Sequence, residues 1–264
     1  NAPVTISAKT VSLSANRIYD GSVDLTGVVA LTTGVGSENL DYSGATSSSK
    51  NVATEDKFIN AITLLDATDG SGGLVSNYEL PTLNSANAPV TISAKTVSLS
   101  ASRIYDGSVD LTGVVALTTG VGSENLDYSG ATSSSKEVAA ANKFVNAITL
   151  LDATDGSGGM ATNYQLPTLN SANTPVTISA KTVSLSANRI YDGSVDLTGV
   201  VVLSTGVGSE KLDYSGATSS SKNVATAGKF INAITLHDAS DGSGGLATNY
   251  ELPTLDSTNA PVTI

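Results

Sequence analysis

Two aspartates in a glycine-rich loop are the residues of this 264-residue chain whose types and spacing could do chemistry. The loop reads DATDGSGG at residues 66–73 and 152–159, and DASDGSGG at residues 238–245. Carboxylate and carbonyl oxygens are the ligands that calcium prefers, although the spacing here is not that of an EF-hand and the distal glutamate is absent. A solvated turn is the favoured interpretation. The alternative is a calcium loop in each copy, with the ligands Asp66, Asp69, Asp152, Asp155, Asp238 and Asp241.

The single histidine and a serine–lysine pair are the remaining candidates for catalysis. His237 occupies the position that Leu65 and Leu151 have in the other copies of its segment, and the alternation of the strand puts it on the outer face. The SSSK segment at residues 47–50 has a Ser-x-x-Lys spacing, but the companion motifs of serine hydrolases are absent. We therefore predict no catalytic residue, no enzyme activity and no cofactor, with calcium as the one alternative.

The segment RIYDG at residues 17–21 is repeated without change at residues 103–107 and 189–193. A recognition motif is one interpretation of its Tyr-Asp-Gly sequence. The favoured interpretation is local, because a tyrosine can pack at the end of a strand while Asp-Gly makes a tight turn.

The elements that position these residues belong to a tandem repeat. The opening hexapeptide NAPVTI recurs at residue 87, as NTPVTI at residue 173, and again at residue 259, a spacing of 86 residues each time. Self-similarity at a fixed period indicates one structural unit per period, so three modules are predicted. Because the chain begins and ends in the same hexapeptide, we expect it to be a piece of a longer array.

The hydrophobic alternation changes parity inside the repeated opening stretch, at Lys9-Thr10. The apolar residues before this point share one strand face and those after it share the other, so one strand cannot bury both sets. We interpret this point as a seam between modules. Residues 1–8 are then the last strand of a preceding repeat, and the modules span residues 9–94, 95–180 and 181–264. A seam with almost no linker favours a stiff array.

Composition limits the classes of partner. The net charge of −11 and the pI near 4.3 argue against nucleic acid and anionic membranes. No apolar run approaches the roughly 18 residues of a membrane span. The chain has no cysteine, which excludes disulfides, and its abundant Ser, Thr, Val and Gly favour strands and turns.

Short alternating segments separated by turn signals predict an all-β fold. The favoured architecture is three tandem small antiparallel β-sandwich (Ig-like) modules in an extended rod. The alternative is a β-grasp-like module with one short helix in the polar connection near Ala53, where the second copy reads KEVAAANK at residues 136–143.

The ordered segments KTVSLSANRIYDGS, LTG, KNVAT, FINAITL and NYELPTLNSANAPVTISAK occur in the first period, and close copies follow in the others. This arrangement resembles the YDG-type and MBG-type tandem repeat modules of large bacterial surface proteins, including filamentous-haemagglutinin-like adhesins. Two departures are Ala53, where the family usually has glycine, and a longer loop before Asn77. The resemblance implies a tandem stalk in a secreted or surface-displayed bacterial protein, with no catalytic residues to carry over.

We therefore expect structural stalk or spacer repeats of an extracellular adhesin or surface fibre, which project a distal functional domain and serve cell adhesion or biofilm formation. The expected partners are the neighbouring repeats of the same chain. One alternative is a self-assembling filament joined by strand addition at the NAPVTI segment. A second alternative is a repeat that binds a glycan or a host protein through the variable loop at residues 74–76.

Overall fold

The structure is a computed structural model of the chain and describes residues 3–264. Within these residues the regular structure is almost entirely β-strand, with one single-turn 3₁₀ helix in each repeat. The predicted all-β class is confirmed. The three 3₁₀ helices are Val75–Asn77, Ala161–Asn163 and Ala247–Asn249.

Each repeat contains seven strands in the same order. Those of the first are β1 (Lys9–Thr10), β2 (Ser12–Ile18), β3 (Val29–Thr32), β4 (Asp41–Ser47), β5 (Ile59–Leu65), β6 (Tyr78–Glu79) and β7 (Val90–Ser93). Those of the second are β8 (Lys95–Thr96), β9 (Ser98–Ile104), β10 (Val115–Thr118), β11 (Asp127–Ser133), β12 (Val145–Leu151), β13 (Tyr164–Gln165) and β14 (Val176–Ser179). Those of the third are β15 (Lys181–Thr182), β16 (Ser184–Asn188), β17 (Val201–Ser204), β18 (Asp213–Ser219), β19 (Ile231–His237), β20 (Tyr250–Glu251) and β21 (Val262–Thr263).

The chain divides into two compact units, whose boundaries fall inside the second repeat. The first unit comprises the described residues through Ser98, together with Leu117–Tyr128 and Leu150–Pro167. The second unit comprises Leu99–Ala116, Ser129–Thr149 and Thr168–Ile264. Each unit therefore contains one terminal repeat and part of the second repeat. The module boundaries at residues 9–94, 95–180 and 181–264 stay a prediction.

In the first unit, β2 is the centre of a three-stranded mixed sheet in the order β3-β2-β7. Leu13 of β2 faces Leu31 of antiparallel β3, whereas Ala15 of β2 faces Val90 of parallel β7. The prediction of a purely antiparallel module is therefore wrong for this sheet. Strands β2 and β7 of the first repeat therefore run in the same direction.

A second pair of strands in the first unit, β4 and β5, is antiparallel with a shift of register between Ser43 and Thr46. Gly44 lies at this shift with φ of +61°, a conformation that glycine adopts without the strain that a Cβ brings. The strand thus continues through the glycine as a bulge. Both sheets contribute buried side chains: Leu13 and Val90 of the mixed sheet are 4% and 6% exposed, and Ala45 and Ile59 of the β4–β5 pair are 0% exposed.

The strands on the two sides of the first predicted seam pair with different partners. Val90 and Ile92 of β7 are buried and pair within the first repeat, while β8 pairs parallel with β13 of the second repeat. One residue, Ala94, separates the two strands. The equivalent stretch at the beginning differs, because residues 3–8 form no strand and Val4 and Ile6 are 85% and 90% exposed. The predicted strand at residues 1–8 also includes two residues that lie outside the described ones.

The second unit repeats these arrangements. Strand β16 pairs antiparallel with β17 and parallel with β21, and β18 pairs antiparallel with β19 through the same register shift. Strand β14 pairs parallel with β9, in the register Val176 to Ala101.

The helix of the β-grasp-like alternative is absent from the described residues. Instead of a helix, residues 50–57 form a turn, in which Lys57 Nζ donates to the carbonyl oxygen of Val52 at 2.9 Å. Asp56 has a φ of +50°, which does not fit an α-helix. No helix that the structure describes is long and apolar enough to cross a membrane.

Candidate functional site: the junctions between repeats

The end of β2 presents a buried tyrosine to the second repeat. The backbone N–H of Tyr19 donates to the carbonyl oxygen of Ser93 at 2.8 Å, which fixes the chain at the point where the β-pairing stops. The Tyr19 side chain is 2% exposed, and its hydroxyl lies 2.9 and 3.0 Å from the two carboxylate oxygens of Glu124. A residue of one repeat thus donates to a carboxylate of the next.

Glu124 also accepts from a tyrosine of its own repeat. The hydroxyl of Tyr164 lies 2.7 Å from Glu124 Oε2, and the rings of Tyr19 and Tyr164 meet edge to face with centroids 5.4 Å apart. The Lys50 ammonium lies 3.5 Å from Glu124 Oε1, and the Glu124 side chain is 12% exposed. Phenol donors and an ammonium satisfy the largely buried carboxylate, as a stable buried charge requires. We call this cluster of Tyr19, Lys50, Glu124 and Tyr164 the first junction.

The tyrosines of the first junction are held in their neutral form. Burial, and after it the hydrogen bond to Glu124, raises the pKa of Tyr19 from 10.0 to about 12. The same two causes raise the pKa of Tyr164 further. Both phenols are therefore protonated donors throughout the physiological pH range.

The turn after Tyr19 allows a close approach between the repeats. Gly21 has φ of +82°, and a Cβ built on it would lie 2.9 Å from Val121 Cγ1 of the second repeat. Arg17 forms an ion pair with Asp20, and the Asp20 carboxylate accepts from the backbone N–H of Ser22 at 3.0 Å. Glycine is therefore required at position 21 for two reasons: it adopts the left-handed conformation without strain, and it has no Cβ to collide with Val121.

An asparagine completes the first junction. Asn163, at the end of a 3₁₀ helix, is 0% exposed. Its side-chain oxygen accepts from the backbone N–H of Val52 at 2.9 Å, and its side-chain nitrogen donates to Asn51 Oδ1 at 3.1 Å. The polar connection at residues 50–57 is therefore partly an interface between the first and second repeats.

A second junction with the same chemistry lies in the second unit. Tyr105 donates to both carboxylate oxygens of Glu210, at 2.9 and 3.1 Å, and Tyr250 donates to Glu210 Oε2 at 2.6 Å. Lys136 lies 3.4 Å from Glu210 Oε1, and Asn249 Oδ1 accepts from the backbone N–H of Val138 at 2.9 Å. Burial raises the pKa of Glu210, but the hydrogen bonds from Tyr250 and Tyr105 and the Lys136 charge outweigh it, so the net pKa is lowered.

The predicted calcium loops are closed by their own hydrogen bonds. Asp66 Oδ1 accepts from the backbone N–H of Val75 at 2.7 Å. Asp69 accepts from the backbone N–H of Ser71 at 2.9 Å and from the side-chain nitrogen of Asn39 at 2.8 Å. The hydrogen bonds from Ser71 and Asn39 lower the pKa of Asp69 to about 2. Each aspartate of this loop thus has protein donors.

The other two loops are built in the same way. Asp152 and Asp238 accept from the backbone N–H groups of Ala161 and Ala247, both at 2.7 Å. Asp155 accepts from Asn125 Nδ2 at 2.7 Å, whereas Asp241 pairs with the ammonium of Lys211 at 3.0 Å. In residues 3–264, no group of three or more His, Cys, Asp or Glu is placed to hold a metal ion. Calcium binding by these six aspartates stays an untested alternative to the solvated turn.

The remaining sequence candidates are separate from the junctions, apart from Lys50. His237 is exposed, as predicted, and its Nε2 lies 2.7 Å from Ser215 Oγ. Ser47 Oγ donates to the carbonyl oxygen of Ser49 at 2.7 Å, while Lys50 pairs with Glu124. The Ser-x-x-Lys spacing therefore produces no serine–lysine contact.

Sequence reasoning missed the glutamates and asparagines of the junctions, and assigned Tyr19 a purely local role. The Tyr19 to Glu124 contact joins residues 105 positions apart, which no short-range pattern reveals. One signal was present: the loop segment TGVGSE, at residues 33–38, 119–124 and 205–210, is identical in all copies although it is not in a strand.

Comparison of the chain with protein-family models, curated proteins and solved structures finds no match.

Proposed function

We propose that the chain is part of a structural stalk, made of tandem small β-sandwich (Ig-like) modules, in an extracellular bacterial surface protein. The stalk projects a distal functional domain for adhesion, and it has no catalytic role. The observation that carries this proposal is the recurrence of one buried polar junction, with Tyr19 and Glu124 in the first unit and Tyr105 and Glu210 in the second. Each additional repeat lengthens a stalk, whereas an enzyme gains little activity from identical units in series.

The seam supports a stiff connection within the first unit. A single residue separates β7 from β8, so no flexible linker intervenes. The junction adds charge-assisted hydrogen bonds between largely buried side chains, which fix the geometry of the contact. The acidic composition, with a net charge of −11, favours solubility and opposes lateral association of such stalks.

The architecture that we propose for each module is a small β-sandwich. The mixed sheet β3-β2-β7 and the β4–β5 pair contribute to one core, and the described residues contain no α-helix. Both points favour a sandwich over a β-grasp-like module. The resemblance to YDG-type and MBG-type repeats supports the same architecture and a secreted or surface location.

Small-angle scattering tests the stalk. A fourth repeat, a copy of residues 95–180 inserted in frame after residue 180, should lengthen the maximum dimension of the particle by a fixed increment, and a fifth by the same increment. A maximum dimension that stays constant on insertion would contradict a serial stalk. Location is tested with antibodies raised against the chain: labelling of intact cells is expected, and labelling only after lysis would contradict surface display.

Strand addition at the NAPVTI segment is the second candidate. Val4 and Ile6 are 85% and 90% exposed, whereas the equivalent Val90 and Ile92 are 6% and 4% exposed in their parallel strand. An exposed segment with alternating apolar residues suits pairing with another chain. Deletion of residues 1–8 should abolish any association that depends on it. Ligand binding through residues 74–76 stays a prediction.

A further inference from the structure

The glutamate of each junction is held at its backbone as well as at its carboxylate. In the first junction the backbone N–H of Glu124 donates to the carbonyl oxygen of Val121 at 3.0 Å. The carbonyl oxygen of Glu124 accepts from Thr119 Oγ1 at 2.6 Å, and Thr119 is buried. Both backbone polar groups of Glu124 are therefore bonded within its own turn, which fixes the direction in which its side chain leaves the chain.

The residue that follows this glutamate is bound by the glycine-rich loop of the same repeat. The backbone N–H of Asn125 donates to Ser157 Oγ at 2.9 Å, and Asn125 Nδ2 donates to Asp155 Oδ2 at 2.7 Å. Gly159 packs so closely on Asn125 that a Cβ built on the glycine would lie 1.8 Å from the Asn125 carbonyl oxygen. We call Asn125, Asp155, Ser157 and Gly159 the first latch. It lies in the first unit, as the first junction does.

The loop that supplies the latch is itself closed by hydrogen bonds. Asp155 Oδ1 accepts from the backbone N–H of Ser157 at 2.9 Å, and the backbone N–H of Ala153 donates to the carbonyl oxygen of Gly159 at 2.9 Å. The latch is therefore a formed surface against which the chain at Asn125 is held.

The second unit contains the same latch with one bond changed. The backbone N–H of Lys211 donates to Ser243 Oγ at 3.0 Å, and a Cβ on Gly245 would lie 1.8 Å from the Lys211 carbonyl oxygen. The side-chain bond is an ion pair, because the Lys211 ammonium lies 3.0 Å from Asp241 Oδ2. We call Lys211, Asp241, Ser243 and Gly245 the second latch.

We propose that the first latch positions Glu124 for Tyr19, and that the second latch positions Glu210 for Tyr105. This rests on the stalk function proposed above and deepens it, because it assigns the rigidity of each junction to the glycine-rich loop. The latch contacts the residue next to the glutamate and acts through it. A carboxylate on a fixed backbone loses less entropy when a phenol docks, so the junction is preorganised.

The two latches should differ in their response to salt. The side chains of Lys211 and Asp241 are 73% and 43% exposed, and salt screens an exposed ion pair. The first latch has an amide donor in place of the ammonium. High ionic strength should therefore loosen the second junction more than the first.

The test is an NMR measurement of how fast the Tyr19 and Tyr105 hydroxyl protons exchange with water, at neutral pH in the 264-residue chain. Ser157→Ala removes an acceptor of the first latch. It should speed exchange of the Tyr19 proton by roughly two- to tenfold, the effect of one lost hydrogen bond, and leave the Tyr105 proton unchanged. Ser243→Ala should do the reverse.

Three further variants separate positioning from a general loss of stability. Ser157→Thr keeps the Oγ acceptor and should exchange like wild type. Asn125→Ala, at an exposed position, removes the bond to Asp155 and should also speed exchange of the Tyr19 proton. The matched control is Ser71→Ala, which removes the same bond to the backbone N–H of Asn39, beside a glutamate that lies outside both junctions. It should leave the Tyr19 proton unchanged.

The salt response is measured on the same two protons. Raising the salt from about 0.01 M to about 1 M should speed exchange of the Tyr105 proton by up to about fivefold relative to the Tyr19 proton, since an exposed pair contributes little. The ratio of the two rates cancels the effect of Lys50 and Lys136, which pair with the glutamates in both junctions. Lys211→Asn copies the first latch and should abolish the difference.

Two results would overturn the proposal. If both Ser157→Ala and Asn125→Ala left exchange of the Tyr19 proton unchanged, the loop would not position the glutamate. If Ser71→Ala sped that exchange as much as Ser157→Ala, the cause would be a general loss of stability in the first unit. Neither result changes the particle dimension by which scattering tests the stalk, so failure of the two proposals can be told apart.

Discussion

At the scale of single residues, a carboxylate shared by two phenols and an ammonium is the feature that distinguishes this chain from a generic β-repeat. Glu124 accepts from Tyr19 and Tyr164 and lies near Lys50, so its charge is satisfied although most of the side chain is buried. Such a group specifies one geometry, because displacement leaves a buried charge without donors.

Removal of the Tyr19 hydroxyl should destabilise the protein by about 1.5 to 3 kcal/mol, the range for a hydrogen bond to a charged group. The measurement is urea unfolding of Tyr19→Phe. The matched control is Tyr191→Phe, at the equivalent but exposed position, measured at a concentration where the chain is monomeric. Equal unfolding midpoints for the two variants would contradict a stabilising role for the junction.

The pH dependence of stability follows from the junction tyrosines. The folded-state pKa of Tyr19 is raised from 10.0 to about 12, so its contribution is full below pH 10 and is lost as the pH rises through about 12. We expect the free energy of unfolding to fall across this window, together with the rise of tyrosinate absorbance. The double variant Tyr19→Phe, Tyr105→Phe should lose less unfolding free energy at alkaline pH. An unchanged loss would show that groups other than these two tyrosines cause it.

Acid should weaken the second junction. The pKa of Glu210 is lowered from 4.5, because hydrogen bonds and the Lys136 charge outweigh burial, so its contribution is full above pH 4.5 and is lost as the pH falls through the folded-state value. Hydrogen exchange of the Val138 amide, measured between neutral and acid pH, should show a loss of protection beyond the intrinsic pH effect. Glu210→Gln should remove this excess.

At the scale of elements, the glycine in the turn after β2 has two roles, which a comparison of the first and third repeats distinguishes. Gly21 and Gly193 both have φ of +82°, but only at Gly21 would a Cβ meet a valine of the next repeat, at 2.9 Å. Gly193→Ala should cost about 1 kcal/mol from the left-handed backbone alone. Gly21→Ala should cost at least about 1 kcal/mol more, since overpacking adds its own penalty. If urea unfolding gave the same loss of unfolding free energy for both variants, the junction would accommodate the added Cβ at no energetic cost.

The aspartate loops allow a test of calcium at the same scale. Because backbone and side-chain donors already bind the carboxylates of Asp66 and Asp69, we expect the same melting temperature with calcium and with a chelator. A melting temperature that rises with calcium, and no longer rises in Asp69→Asn, would establish a calcium loop.

How far sequence predicted the structure depended on the range of the interaction. Alternation predicted the change of parity between Val90 and Val97, both of which are buried, because parity is a local property that burial enforces. Parallel pairing of β7 with β2 was not predicted, since Ala15 and Val90 are brought together by the whole repeat. Sequence alone does not predict that β4 continues through Gly44, because a glycine marks turns and bulges alike.

At the scale of the whole molecule, the junctions were the least predictable feature. They join loop residues of neighbouring repeats, and Glu38, Glu124 and Glu210 are preceded by the same sequence, TGVGS, whether or not a tyrosine of a preceding repeat reaches them. Each of the two units contains one complete junction. Cooperative unfolding of each unit is therefore expected to include residues from two repeats.

The identity of the seam strands has a consequence for how the chain reaches its native pairing. Ala15 pairs with Val90, 75 positions away, but Val176 stands in an equivalent PVTIS segment, 161 positions away. Side-chain energies cannot separate the two partners, and the difference in loop-closure entropy is only about 0.7 kcal/mol. Selection of the native partner must then come from the order of synthesis, because the first repeat is complete before the second competing strand leaves the ribosome. Refolding of the 264-residue chain from denaturant, where every copy is present at once, should yield a fraction of strand-exchanged molecules that synthesis avoids.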